Sequence, residues 1–341
     1  MPSFVASRWY DSNFPSGQGR PRPGGIRRFV GVSVARACAG SAFLTRNADK
    51  ELSGFLGRVR VRISSRLDAL SALTSLAEAR DLLGGKMLRS RLAGRLMLSG
   101  AGAAQAGLVE RAAAAVELIH TASLCHDDVI DNALLRRATP TLWRRTSSSG
   151  AVLVGDILLC EAMSLLLETQ DNPLLVAFMG KVTQVCLTEA RQELVYRGRA
   201  VDEETCLTLA RGKTGALFAF VAEACARIGS DEAAAFGQAG YCLGTAYQLA
   251  DDLLDVVGNE KQAGKTLGTD GKRDKFTLPQ VEPDGAELSI GHVRRLCGEA
   301  ARAVDAWPAA RQAVEDFLAR DFGPVLEMTG QPLDKRAKSS I

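Results

Sequence analysis

Between Leu124 and Arg137 the sequence places Asp127, Asp128 and Asp131 within five residues of an otherwise apolar run and sets Arg136 and Arg137 behind them. At 3.6 residues per turn, Asp127 and Asp131 share one helix face with Asp128 beside them. Carboxylates near a helix C-terminus oppose the macrodipole and repel one another, which costs stability unless a cation neutralises them. Mg²⁺ suits that role, because it takes oxygen ligands, keeps several waters and joins one or two carboxylates to substrate phosphates. A solvated acidic helix end is the plain alternative for one such cluster taken alone. The cluster recurs, however, as Asp251-Asp252-Leu253-Leu254-Asp255 at the end of a second apolar run. Two helices facing each other across a bundle would then line one cavity with six carboxylates, a multi-metal grip for a diphosphate.

Cations accompany the acids. Lys86 and Arg89 follow Gly84-Gly85 three residues apart, Arg136 and Arg137 trail the first cluster, and Lys265, Lys272, Arg273 and Lys275 punctuate a glycine-containing stretch after the second. Each alone is an ordinary surface charge. Together they describe a cavity where acidic metal sites and cations meet around phosphates.

The elements that must hold these groups read as helices almost throughout. Apolar residues recur at three-and-four spacing in Leu67 to Leu83, Val109 to Cys125, Leu153 to Leu167, Leu174 to Val195 and Phe236 to Val257, with a last helical run at Val293 to Leu318. Turn signals separate them at Gly84-Gly85, Arg137 to Pro140, Asp171 to Pro173, Gly229-Ser230 and Gly258 to Gly271. At 341 residues and 46% hydrophobic content, the chain can bury one large all-α core. Asp156 and Glu161 interrupt the most apolar run, so no transmembrane segment is expected. The cysteines are single, without a Cys-x-x-Cys pair, which argues against a zinc site and a disulfide framework and fits a reducing compartment.

The net charge of +3 is unevenly spread: residues 1–48 carry +6 from seven arginines and one acid, leaving −3 on the remainder. A mildly acidic body is the wrong sign for a nucleic-acid binder. The arginine-rich residues 1–48 read as a disordered extension, residues 49–330 as one all-α domain and residues 331–341 as a flexible tail. A cytoplasmic location is expected, or an organelle matrix should the extension act as a transit peptide.

These residues resemble a known family. Gly84-Gly85-Lys86-x-x-Arg89, Leu118-Ile119-His120-x-x-Ser123-Leu124-x-His126-Asp127-Asp128-x-x-Asp131, Arg136-Arg137-x-x-Pro140 and Val154-Gly155-Asp156-x-Leu158-Leu159 are similar, in order and spacing, to motifs of the trans-isoprenyl diphosphate synthases. So are Lys213-Thr214-Gly215-x-Leu217-Phe218, Tyr247-Gln248-Leu249-x-Asp251-Asp252-Leu253-Leu254-Asp255, Gly264-Lys265-x-Leu267-Gly268-x-Asp270 and Lys275-x-Thr277-Leu278-Pro279. The resemblance implies an isoprenoid-synthase helical bundle with a central cavity, usually a homodimer. Such an enzyme condenses an allylic diphosphate head-to-tail with isopentenyl diphosphate, using Mg²⁺, with three ions per site when substrate is bound. It further implies Asp127, Asp131 and Asp251 as principal magnesium ligands, with Asp128, Asp252 and Asp255 as supporting ligands or water-holders and Asp255 counted among the metal set. Arg136, Lys213, Lys265 and Lys275 would contact the allylic diphosphate, and Lys86, Arg89, His120 and Arg137 the isopentenyl diphosphate. Thr214 and Gln248 would point oxygens at the allylic carbon, and the released diphosphate would take the final proton. A buried histidine bonded to helix backbone is the plain alternative for His120. Ala138 and Arg191 stand where the family usually has glycine.

Ser123 and Ala122, four and five residues before Asp127, lie on the side of the helix past which a growing chain must run. Short-chain members of the family carry an aromatic floor there. Both side chains here are small, which predicts a product of twenty carbons or more. A class I terpene cyclase would share the fold but mixes Asn, Ser or Thr with Glu in its second motif. A non-catalytic subunit would have lost one acidic cluster, whereas this chain keeps both.

Overall fold

The computed structural model describes residues 41–68, 85–102, 104–136, 139–257, 276–281 and 284–327, with side chains from residue 48 onward. Among them the chain is a helical bundle. In order come α1 (Ser41–Leu67), α2 (Leu88–Leu98), α3 (Ala106–Ile130), the strands β1 (Leu135–Arg136) and β2 (Thr139–Pro140), and a single turn α4 (Leu142–Arg145). Then follow α5 (Ser148–Leu167), α6 (Asn172–Arg191), α7 (Glu203–Ala210), α8 (Ala216–Glu223), α9 (Asp231–Val257), α10 (Leu278–Val281), α11 (Gly285–Ala303), α12 (Pro308–Phe317) and α13 (Gly323–Glu327). Three π-turns, Gln192–Tyr196, Arg211–Gly215 and Leu318–Phe322, interrupt or extend these helices.

Local sequence explains the starts. Ser147, Asp171 and Asp202 each accept a backbone N–H of the first turn of α5, α6 and α7, from Gly150, Leu174 and Thr205, all at 2.9 Å. These caps satisfy donors that a helix end leaves over. Pro173 in the first turn of α6 costs no hydrogen bond there. The centre is α3, whose residues Ala112 to Val116 are completely buried, and small side chains let its neighbours α1, α2 and α5 approach closely. Helices α8 and α9 touch backbone to backbone: a Cβ on Gly240 would lie 2.4 Å from the Phe218 carbonyl, and one on Gly244 2.7 Å from Gly215 Cα. Glycine is therefore required at that crossing, which brings the π-turn at Gly215 against the helix of the second acidic motif.

Several sequence expectations shift. Helix α1 begins at Ser41, inside the stretch 1–48 read as an extension, so the helical body starts earlier than the arginine content indicates. The single run expected over Val293 to Leu318 is two helices, because α11 ends at Ala303 and Pro308 opens α12. Arg137 to Pro140, expected as a turn, holds β2 of a two-stranded antiparallel ladder pairing Leu135 with Pro140 and Arg136 with Thr139. Helix α5 is long and apolar enough to cross a bilayer by length and composition, with a mean hydropathy of 2.0, so Asp156 and Glu161 do not interrupt it as expected. It packs along α3 as a bundle helix, with Asp156 against His126 at 3.3 Å and Glu161 against Arg66 at 3.5 Å. Its outer face, with Leu153 and Leu167, is exposed, as are Val176 and Leu187 on α6 and Leu194 just beyond it.

Candidate active site

The first acidic motif ends α3. Asp127 and Asp131 are half-buried, and Asp131 is the residue that closes the helix, its N–H bonded to the Asp127 carbonyl. Asp128 points inward and is buried. The β1–β2 ladder folds Arg136 back onto it, so that Nε and Nη2 both donate to Asp128 Oδ1, at 2.9 and 2.8 Å. Asp128 is thus held by a cation of its own, while the charges of Asp127 and Asp131 reach the next element. Burial, reinforced by the charge of Asp128, pushes the Cys125 thiol up to about 12, so it remains a neutral core side chain.

That next element is the π-turn Arg211–Gly215. A π-turn carries one residue more than an α-turn and re-aims side chains at functional sites. Here it places Lys213 and Thr214 side by side. The Lys213 ammonium donates to both carboxylate oxygens of Glu189 on α6, at 2.8 and 2.9 Å, and lies 3.5 Å from Gln192 Oε1. Burial disfavours that charge, yet the charges of Glu189, Asp127 and Asp131 outweigh burial and hold the ammonium above the ordinary lysine pKa. Thr214 is buried and donates to Gln248 Oε1 at 2.5 Å, and Gln248 Nε2 donates to Asp252 at 2.8 Å. One turn of chain therefore joins the two acidic motifs, by charge through Lys213 and by hydrogen bonds through Thr214 and Gln248. In the second motif Asp251 and Asp252 are half-buried and Asp255 is buried.

Arg89 lies on α2, which packs against α8. It is buried, its guanidinium sits 5.3 Å from the centre of the Phe218 ring, and its Nε has no hydrogen-bond partner among the described residues. Burial lowers its pKa while the charge of Glu117 supports the cation. A buried guanidinium with an unsatisfied donor suits an anion. Lys86 is exposed at the start of the same helix, and its carbonyl accepts Arg91 Nε at 2.9 Å. His120 is half-buried on α3, about two turns before Asp127. Ala122 is buried and Ser123 half-buried, its hydroxyl donating to the His120 carbonyl at 2.9 Å. Arg137, Lys265, Lys272, Arg273 and Lys275 lie outside the described residues.

Among the described residues no three His, Cys, Asp or Glu side chains come close enough to hold a metal ion by themselves. The donor set still fits magnesium: Asp127, Asp131, Asp251 and Asp255 offer carboxylate oxygens alone, and Mg²⁺ ordinarily completes its shell with water and substrate phosphate.

Glu189 and Gln192 were not legible as site residues. They lie on a helix whose sequence drew attention only through Arg191, and their role emerges from a contact with a turn more than twenty residues away. The charged residues of an amphipathic helix carry no mark of which one meets a distant lysine.

An all-α bundle with two aspartate-rich helix ends joined by one lysine-threonine turn defines an isoprenoid-synthase fold. Residues 72–283 match the polyprenyl synthetase family, and the chain belongs to that family of prenyltransferases. A short chain isoprenyl diphosphate synthase of Methanothermobacter thermautotrophicus is 33% identical over 230 residues, which cover 65% of this chain and 70% of that protein. An all-trans-nonaprenyl-diphosphate synthase (geranyl-diphosphate specific) of Rhodobacter capsulatus is 33% identical over 177 residues, covering 50% of this chain and 54% of that one. The structure of a polyprenyl synthase from Caulobacter crescentus CB15, complexed with calcium and isoprenyl diphosphate, superposes with a TM-score of 0.69 at 27% identity. The superposition covers 84% of this chain and 97% of that one. These relatives run from short-chain to nine-unit synthases, so membership alone leaves product length open.

Proposed function

We propose that this protein joins an allylic diphosphate head-to-tail to isopentenyl diphosphate and releases diphosphate, giving an all-trans polyprenyl diphosphate of twenty carbons or more. The observation that carries the reading is the π-turn: Lys213 stands beside the first acidic motif while Thr214 is bonded to Gln248 and through it to the second. Ionisation of the allylic substrate sends negative charge onto the departing diphosphate and leaves a cation on carbon. Lys213 faces the first, together with Arg136 and, from outside the described residues, Lys265 and Lys275. The oxygen dipoles of Thr214 and Gln248 solvate the second. Arg89, with Lys86, Arg137 and His120, holds the other diphosphate so that its double bond attacks the cation.

Asp127, Asp131, Asp251 and Asp255 would hold magnesium, three ions per site with substrate present, which would supply Lewis-acid stabilisation of the leaving group. Asp128 and Asp252 orient the neighbouring groups through Arg136 and Gln248. The final proton goes to the released diphosphate. The apolar outer faces of α5 and α6 favour a homodimer built on them. Product length rests on Ala122 and Ser123, which leave the turn before Asp127 without a bulky side chain.

The test is incubation with isopentenyl diphosphate and allylic primers of five, ten and fifteen carbons, with products analysed by mass, with and without EDTA. Products of twenty carbons or more that vanish in EDTA are expected. Undiminished turnover in EDTA, or arrest at fifteen carbons with isopentenyl diphosphate in excess, would overturn the metal or the length reading respectively.

A further inference from the structure

Glu189 has no place in the reaction as described, yet it is the principal partner of Lys213. Both its oxygens engage the ammonium, at 2.8 and 2.9 Å. Asp127 and Asp131 act on the same ammonium through their charge, while its hydrogen bonds go to Glu189 and Gln192. Lys213 therefore stands between two sets of carboxylates that compete for it. The side that holds it is fixed by backbone as well as by charge. The turn sits flush on α6 at the residue preceding Glu189, since a Cβ on Gly212 would lie 2.2 Å from Thr188 Oγ1. Thr188 is itself tied to the Gln184 carbonyl at 2.7 Å. Arg211, the first residue of the turn, lies with its guanidinium 3.9 Å from the centre of the Tyr241 ring, and Tyr241 donates its hydroxyl to Gln184 at 2.6 Å.

We infer that Glu189 is a positioning residue that keeps Lys213 turned toward α6 and off the Asp127 and Asp131 carboxylates, leaving their charge for the metal ions that accompany a diphosphate. A lysine ammonium on a flexible stem goes to the strongest nearby negative charge. Without Glu189 the charges left acting on it are those of Asp127 and Asp131, and an ammonium drawn there competes with a divalent cation for the same oxygens. The role is distinct from binding substrate, because Glu189 repels a diphosphate and acts only through where it holds the lysine.

The inference rests on the metal assignment proposed above, and the experiment separates the two. Mn²⁺ binding is followed by electron paramagnetic resonance in the presence of inorganic diphosphate, for the unsubstituted protein, Glu189→Gln, Glu189→Asp, Lys213→Met and the Glu189→Gln/Lys213→Met double variant. Glu189→Gln should raise the half-saturating Mn²⁺ concentration roughly tenfold, since a positive charge then sits on the ligands. Glu189→Asp keeps the charge and should stay near the unsubstituted value. In the Lys213→Met background Glu189→Gln should have little further effect, because the lysine that moves is gone. An equal effect in both backgrounds, or none in either, would overturn the role while the metal assignment stands. Absence of Mn²⁺ binding by the unsubstituted protein would overturn both. Gly212→Ala, which pushes the turn off α6 without touching a charge, should weaken Mn²⁺ in the same direction, and unchanged affinity there would also count against the role.

Discussion

Arg136 closes on Asp128 with two nitrogens on a single carboxylate oxygen, 2.9 and 2.8 Å away. The middle acid of the first motif is thereby neutralised within the protein. Arg136→Ala strands a buried carboxylate, and should cost about 1–3 kcal/mol of stability, toward the lower end because Arg136 is itself 38% exposed. Urea unfolding measures this directly. If Arg136 served only to contact substrate, its removal would raise the allylic KM and leave the unfolding midpoint where it was.

The buried guanidinium of Arg89 gives a substrate-specific prediction. Its unsatisfied Nε and its place above Phe218 suit one diphosphate. Arg89→Ala should raise the KM for isopentenyl diphosphate by about tenfold or more while changing that for the allylic partner far less. Steady-state kinetics with each substrate varied in turn decides it, and equal rises would show that the two pockets are assigned wrongly.

Ala122 is 2% exposed and packed in the core one turn before Asp127, so an aromatic ring there must push its neighbours aside. Ala122→Phe should shift products toward fifteen carbons and cost about 1–3 kcal/mol through overpacking. Product mass analysis of the active variant is the check, with an unchanged distribution counting against a floor at this position.

Acid sensitivity should arise in part away from the site. Glu110 on α3 accepts Arg58 Nε at 2.6 Å and Arg62 Nη2 at 2.8 Å, pinning α1 to the central helix. Burial alone would raise its pKa, but the two arginines overcome that and hold it below the ordinary glutamate value. A carboxyl depressed in the folded state stabilises above its unfolded pKa, and that stability is lost as pH falls through the folded value. Glu110→Gln should therefore be about 1–2 kcal/mol less stable at pH 7, with the gap to the unsubstituted protein closing below about pH 4. Thermal melts of both proteins across pH 3–7 would show a constant gap if the pair contributed nothing.

Much of the site was readable because its chemistry is local. Acids at i, i+1 and i+4 announce a shared helix face, and Thr214 and Gln248 stand in short motifs whose order along the chain is itself a signal. What was not readable is long-range or a matter of register. Glu189 meets Lys213 only because α6 and the π-turn pack together, and the charge of a surface glutamate does not reveal its partner. The bond from Arg136 to Asp128 was not legible beside its reading as a substrate contact, since nothing in the sequence shows the short ladder turning it back. The open side of α5 was hidden by Asp156 and Glu161, which the bundle accommodates through His126 and Arg66. The break before α12, by contrast, was visible in Pro308 and was overridden by the apolar periodicity on either side of it.

From Glu203 to Glu223 the backbone is one unbroken rod, α7 and α8 with the π-turn between them. One surplus residue offsets everything after it by roughly 100° relative to a plain α-helix. Ahead of it Cys206, Leu209 and Ala210 are buried, and behind it every residue from Ala216 to Ala222 is. The aim of Lys213 and Thr214 is therefore encoded in a count of residues as well as in the glycines that let the turn sit flush. Exhaustive substitution along the rod would leave that count untouched, whereas deleting a single residue within 211–215 would rotate half the rod against its neighbours. Apart from residues 212–215 themselves, the segment should tolerate changes of letter far better than changes of length.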